Sequence, residues 1–339
     1  MNTPRAFGVI TTIQQPTDCV RRLCARLAPL DVPLIVIGDK KGPWSYEVPG
    51  AELFTLKQQA NLPFTLKNVL PENHYTRKNL GYLLAMKEGA QCIYETDDDN
   101  APQASWRWRE ETTKACRTMT GGGWYNVYRH YTDDLIWPRG LPLDKTASVT
   151  PDRSRQPLPE LNVRAPIQQG LANCSPDVDA VWRLVLDREF EFRAGPSVLL
   201  TRNTWCPFNS QSTWWWHTAF PLMYLPSFCS FRMTDIWRSF IAQRCLWEFA
   251  EGVVFHGPEV EQERNPHNLM RDFADEVPGY LQNARIAEIL EGLYLRPGAS
   301  EVEHNLFTCY EALVKASIFP EAELSLLRAW LADLKHKKN

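Results

Sequence analysis

Nowhere in the 339 residues do about 18 apolar side chains follow one another, which excludes a membrane-spanning helix. The opening stretch, MNTPRAFGVITTI, has no apolar run of secretory length and enters a strand-like pattern almost at once. No Cys-x-x-Cys pair occurs, and the nine cysteines are odd in number and scattered. That pattern argues against a disulfide scaffold or a zinc ribbon and fits a reducing cytoplasm. Neither sign of charge dominates: 37 Lys and Arg against 40 Asp and Glu leave a formal charge of -3. There is thus no electrostatic case for a nucleic-acid binder. No internal repeat is visible. What is present is a globular composition, 44% apolar and 23% charged, which excludes a disordered chain. The length suits one large domain or two of ordinary size. Thirteen tryptophans and 25 prolines point to long ordered loops and flat apolar surfaces, of a kind that suits carbohydrate or nucleotide handling.

The first hundred residues alternate between strand and helix. Phe7 to Ile13 reads as a buried strand, and a helix capped by Thr17 or Asp18 follows through Leu30, with Val20, Leu23, Leu27 and Leu30 at helical spacing. Pro33 to Gly38 is a second strand and Ala51 to Leu56 a weaker third. A helix over Arg77 to Gly89 leads into a fourth strand, Gln91 to Thr96, which runs straight into Asp97-Asp98-Asp99-Asn100. Such alternation predicts βαβ units and a mainly parallel sheet, with ligands bound beyond the carboxyl ends of the strands. Asp39 and the acidic run both follow strand ends and belong on that rim. From His130 to about Asn173, prolines recur (138, 142, 151, 157, 159, 166) and no period holds, so a long loop region is expected. Order returns over Asp177 to Leu186 and over Thr234 to Ala250, a helix with Thr234 as its cap. Val253 to Phe255 is a short strand ending at His256. Three helices close the chain: Tyr280 to Leu293, Glu301 to Ala316 and Pro320 to Lys335. A boundary near residue 275 divides a larger domain, 1–275, from a small helical appendage, 276–339. The apolar stripes of the appendage suit packing on the core or an oligomer contact.

Asp97-Asp98-Asp99 carries the strongest chemical signal. Adjacent carboxylates repel, and a fold keeps them together most readily beside a cation or positive partners. Their oxygens suit Mg²⁺ or Mn²⁺, ions that commonly bridge to substrate phosphates. In extended backbone Asp97 and Asp99 point one way and Asp98 the other. An acidic surface loop with a helix cap is the competing reading. Upstream, Arg77-Lys78-Asn79 opens the helix leading into this strand, and a basic helix start is an anion site. A solvated helix start explains the same residues.

Tyr75-Thr-Arg-Lys-Asn-Leu-Gly-Tyr followed by Cys92-Ile-Tyr-Glu-Thr-Asp-Asp-Asp-Asn resembles the basic helix start and DxD strand of GT-A glycosyltransferases. Further segments are Trp137-Pro-Arg-Gly-Leu-Pro-Leu, Ile167-Gln-Gln-Gly-Leu-Ala-Asn-Cys-Ser-Pro-Asp-Val-Asp-Ala, Pro207-Phe-Asn-Ser-Gln-Ser-Thr, Phe231-Arg-Met-Thr-Asp-Ile-Trp-Arg and Val254-Phe-His. Together, across roughly residues 5 to 275, they resemble the STELLO family and the reversibly glycosylated polypeptides, which are UDP-arabinopyranose mutases.

The resemblance implies a GT-A-like (Rossmann-like) α/β fold, a UDP-sugar donor, a divalent cation (Mn²⁺ or Mg²⁺) and an acceptor hydroxyl, with a glycan as one candidate acceptor. By position it implies Asp97, Asp99 and His256 as metal ligands. Thr11, Asp39, Arg77, Lys78, Asn79 and Asp98 fall in the nucleotide-contacting set. For His256 a structural hydrogen bond is the alternative, and for Asp39 a turn cap. Asp235 matches an acidic residue beside the acceptor and suits a general base, although the same placement makes it a first-turn acid complementing the helix dipole. Arg139 matches either the segment near the mutases' self-glycosylated arginine or a phosphate clamp. Trp214-Trp215-Trp216 offers a stacking platform for a sugar or, with at least two of the three inside, a piece of core. After His256 the chain reads Gly-Pro-Glu-Val-Glu and lacks the Ser-Lys-Ala-Ser of the mutases. Three functions stay open: a metal-dependent glycosyltransferase, a UDP-sugar mutase and a noncatalytic scaffold keeping the fold.

Overall fold

A computed structural model describes residues 5–118, 122–146, 159–263 and 268–335. Strand β1 (Ala6–Thr11) is apolar almost throughout, as befits a strand covered on both faces. Ala6 and Ile10 pack with α1 (Asp18–Leu27), while Phe7 and Val9 join the cluster that includes the later α3 (Lys78–Lys87). Thr17 caps α1 by accepting the Val20 amide. Strands β2 (Leu34–Ile37) and β3 (Ala51–Phe54) extend the sheet on one side of β1, and β4 (Cys92–Thr96) on the other, all parallel. A short helix, α2 (Leu56–Gln59), follows β3. The expected α/β fold is therefore present, and the carboxyl ends of β1, β2 and β4 share one rim.

Past β4 the sheet becomes mixed. The remaining strands are β5 (Asn100–Pro102), β6 (Thr112–Arg117), β7 (Gly123–Trp124), β8 (Glu160–Arg164), β9 (Ile167–Asn173), β10 (Val198–Thr201), β11 (Thr204–Trp205), β12 (Ser212–Trp216) and β13 (Gly252–Gln262). The order is β3-β2-β1-β4-β12-β9-β13-β10-β6-β8, with β5 on β13 and a separate β7–β11 pair. Antiparallel β12 sits between β4 and β9, and β13 runs parallel to β9.

The expected loop over His130 to Asn173 is corrected at its end, because β9 is a central strand buried at every position. Two glutamines and a glycine hid it. The Gln168 amide is satisfied by the Glu110, Glu111 and Ala165 carbonyls, so burial costs little. Gly170 is required by close approach, since a Cβ there would lie 2.2 Å from the Glu259 side chain. Residues 147–158 of that stretch lie outside the described residues. The tryptophan run is all core: Trp214, Trp215 and Trp216 are buried in β12, which removes the stacking platform.

Helix α4 (Ala180–Leu186) is capped by Asp179, and α5 (Thr234–Leu246) is buried along its whole length. The cap position of α5 is Met233, not the expected Thr234. The next helix, α6, spans Leu269–Glu291 with Pro278 inside it, so it begins eleven residues before the expected Tyr280 and residue 275 lies within one continuous helix. Asn268 starts it early by accepting the Arg271 amide. Helices α7 (Val302–Lys315) and α8 (Ala322–Asp333) complete the chain. They are tied to the sheet domain. Asp333 accepts from the Thr65 and Leu66 amides and the Thr65 hydroxyl, and Glu323 accepts from the Ser227 and Phe228 amides and the Tyr224 hydroxyl.

Removing the Asp333 carboxylate orphans two amides, so Asp333→Ala should cost about 2–4 kcal/mol in urea unfolding. A second prediction concerns pH. Asp179 is fully buried, accepting from the Trp182 amide and Trp137 Nε1. Burial first, with nearby Glu276 adding, pushes its carboxyl up to about 7. A carboxyl raised from its ordinary 3.8 stabilises the fold below about pH 4, and this contribution is lost as pH rises through 7. Asp179→Asn keeps an acceptor without the charge. Its Tm relative to the parent should therefore be higher at pH 8 than at pH 5.

Candidate functional site

A cavity of about 710 Å³ opens where the β1, β2 and β4 ends converge. Thr11, Thr12, Asp39, Asp97 to Asp99, Arg139, Asp177, Asp235, Arg271 and Asp275 are among the residues that line it. The placement follows from topology, since loops after parallel strands leave the sheet on one side.

Each acid of the run has its own partner. Asp97 Oδ1 accepts from Lys78 Nζ at 2.8 Å and from the Tyr75 hydroxyl at 3.2 Å. Asp98 accepts from the Thr12 hydroxyl. Asp99 accepts only from amides, Asn100 Nδ2 and Gln262 Nε2, both at 2.9 Å. Burial raises all three carboxyls. Lys78 opposes this at Asp97 and Thr12 at Asp98, whereas the charges of Asp97 and Asp98 add to it at Asp99 and push that carboxyl up to about 7. Behind the run lies a buried ion cluster. Lys78 also donates to the Thr96 carbonyl at 2.6 Å and sits 3.9 Å from Glu95. Glu95 in turn accepts from the Tyr82 hydroxyl, Trp215 Nε1 and Arg238 Nη1.

Asp99, crowded by two carboxylates and bonded to amides alone, and its neighbour Asp97 are hard oxygen donors that could hold a divalent cation. Among the described residues no three His, Cys, Asp or Glu side chains converge as a ready-made metal set. His256 does not complete one. It is fully buried in β13, with Nδ1 2.7 Å from Ser197 Oγ and Nε2 2.8 Å from Gln168 Oε1, and it does not line the cavity. Burial holds it well below the ordinary histidine range. The expected strand end was the error: β13 continues to Gln262, and it is Gln262 that reaches Asp99.

The basic helix start is also redirected inward. Arg77 lines the cavity but spends its guanidinium on Gln59 Oε1 and the Leu70 and Pro71 carbonyls. Lys78 is buried against Asp97, and the Asn79 amide exchanges hydrogen bonds with the Leu225 backbone. Asp39 accepts from the Lys40, Asn73 and His74 amides, which makes it an organiser of two loops. Arg139 is shared between Asp177 (2.8 and 2.9 Å) and Asp235 (3.1 and 3.0 Å). Burial works to raise the Asp235 carboxyl, but the charge and hydrogen bonds of Arg139 outweigh it and hold the group below the usual carboxylate range. Both Asp235 oxygens thus accept from Arg139, whose Nε, Nη1 and Nη2 are all engaged. Thr12, Tyr75, Gln262, Arg271 and Asp275 were not anticipated. Only the last pair left a trace in the sequence, as opposite charges four apart at a helix start.

A family model described as STELLO glycosyltransferases matches residues 232–338. Over 352 aligned positions the chain is 26% identical to "Probable glycosyltransferase STELLO2" of Arabidopsis thaliana and equally so to "Probable glycosyltransferase STELLO1", covering 96% of this chain and 44% of each relative. The chain resembles the STELLO glycosyltransferases. It spans less than half the length of those two relatives, and the family match covers α5 through α8, including Asp235, Arg271 and Asp275. Among solved structures, glucosyl-3-phosphoglycerate synthase of Mycobacterium tuberculosis is similar with a TM-score of 0.39 at 10% identity, over 83% of this chain and 80% of that one. Its complex with Mn²⁺, UDP and glucosyl-3-phosphoglycerate gives a TM-score of 0.40 at 11% identity, again over 83% and 80%. No helix among the described residues is long and apolar enough to cross a membrane.

Because Lys78 compensates Asp97 inside the protein, Lys78→Met should destabilise the fold by about 3–5 kcal/mol. Adding Asp97→Asn should recover part of the loss, as a denaturant double-mutant cycle would measure.

Proposed function

We propose that the chain is a metal-dependent glycosyltransferase that moves a sugar from a UDP-sugar to an acceptor hydroxyl. The observation carrying this reading is Asp99: a carboxylate crowded by two others, without a cationic partner among the described residues, at the strand-end rim of a cavity of ligand size. The similarity to the STELLO glycosyltransferases supports it. Asp99 and Asp97 would hold Mn²⁺ or Mg²⁺, which supplies positive charge for the departing diphosphate. The chain's own residues do the positioning. Lys78 fixes the rotamer of Asp97, Thr12 that of Asp98, and Gln262 that of Asp99. The Asp177–Arg139–Asp235 bridge keeps β9's following loop and the start of α5 at a fixed separation. The nine dispersed cysteines support a reducing compartment, with the cytoplasm as our reading.

Titration calorimetry with UDP should detect binding that requires Mn²⁺. Asp99→Ala should weaken it at least tenfold while leaving the unfolding transition in place. UDP binding that is absent, or indifferent to the cation, would overturn the proposal and leave a scaffold. A mutase is separated by its product, since it would interconvert the donor sugar's ring form without any acceptor.

A further inference from the structure

Transfer to a hydroxyl by direct displacement needs a group with a free lone pair to receive the proton. Eight carboxylates line the cavity, and their partners separate them. Asp39, Asp97, Asp98 and Asp99 accept hydrogen bonds from backbone or side chains on the sheet rim. Asp177 and Asp235 are taken by Arg139, and Asp272 is partnered too. Asp275 alone has no hydrogen-bond or ion-pair partner among the described residues. The guanidiniums sort the same way. Arg77, Arg139, Arg183 and Arg232 are committed to carbonyls, hydroxyls or acids, and only the Arg271 side chain is without a partner among the described residues.

These two uncommitted charges stand four residues apart near the start of α6, so they share one face of the helix, yet no ion pair joins them. Asp275 is half-buried and Arg271 exposed, and both line the cavity, so the helix leaves an acid and a base there open to a ligand.

Resting on the transferase reading, we propose that Asp275 is the base for the acceptor and that Arg271, one turn earlier, grips an anionic oxygen of the donor's diphosphate. As the acceptor oxygen bonds to the anomeric carbon, its proton passes to the Asp275 carboxylate. The bond from that carbon to the diphosphate oxygen breaks, and the diphosphate leaves with the electron pair. Attack from the side opposite the leaving group inverts the anomeric centre. Asp235, the acid that the family resemblance pointed to, holds Arg139 instead.

The test uses the full chain with Mn²⁺, UDP-glucose, UDP-galactose and UDP-arabinopyranose as donors, and water as the acceptor. On the donor hydrolysed fastest, Asp275→Asn should lower kcat about 100-fold, at the low end of general-base contributions, with the Kd for UDP within twofold of the parent. Sodium formate should restore at least tenfold of the rate lost in Asp275→Ala. Proton NMR of the first product formed should show the inverted anomer. Arg271→Ala should instead raise the Kd for UDP about tenfold. Three results would overturn the base assignment: hydrolysis unchanged in Asp275→Asn, a retained anomer, or a parent protein that binds UDP and hydrolyses no donor. A parent protein that fails to bind UDP with Mn²⁺ removes the transferase reading itself, and the base with it.

Discussion

Everything at the rim turns on how three consecutive carboxylates survive at the end of a buried strand. Mutual repulsion and desolvation both act against them, and the fold answers by giving each a different neighbour. Asp97 has an ammonium, Asp98 a hydroxyl and Asp99 two amides. The ammonium is itself buried and is steadied by Glu95, which draws on a tyrosine, an indole and Arg238. A polar network of this size beneath a cavity makes the rim rigid, because loosening one member exposes the others to an uncompensated charge. It also leaves Asp99 as the most weakly compensated of the three acids that line the cavity.

The parallel part of the sheet was legible because its strands are buried on both faces and read as short apolar runs between capped helices. Thr17 before α1 and the run into Asp97 were both visible for that reason. The mixed part was not. In β9 the interior is polar, and its amides are paid for by tertiary partners far along the chain, such as the Glu110 and Asn209 backbones. Pro278 misled in the other direction: a proline in a periodic segment reads as a start, whereas here nine residues of helix precede it.

The site divides along the same line. Asp97, Asp98 and Asp99 could be found because adjacency in sequence is itself the physical anomaly. Lys78 and Arg77 were rightly seen as a positive charge near the run, but whether a long side chain turns outward to a phosphate or inward to a carboxylate is decided by packing, and both turn inward. His256 illustrates the limit from the opposite side. Its place near a strand end looked right by family order, but β13 runs six residues further, so the ring points into the sheet between Ser197 and Gln168. Arg271 and Asp275 offer only the spacing of two opposite charges four residues apart. They become notable only when every other charge around the cavity has been matched with a partner.

The uninterrupted course of α6 has a bearing on how the molecule can be divided. One end of this helix furnishes part of the ligand chamber, and the other abuts the terminal bundle through α7. The bundle is in turn fastened to the sheet domain through Asp333 and Glu323. The last seventy residues are therefore architecture for the chamber and not a detachable tail. A shortened form ending ahead of Leu269 would lose Arg271 and Asp275 from the chamber and bare the core side chains that α6 to α8 cover.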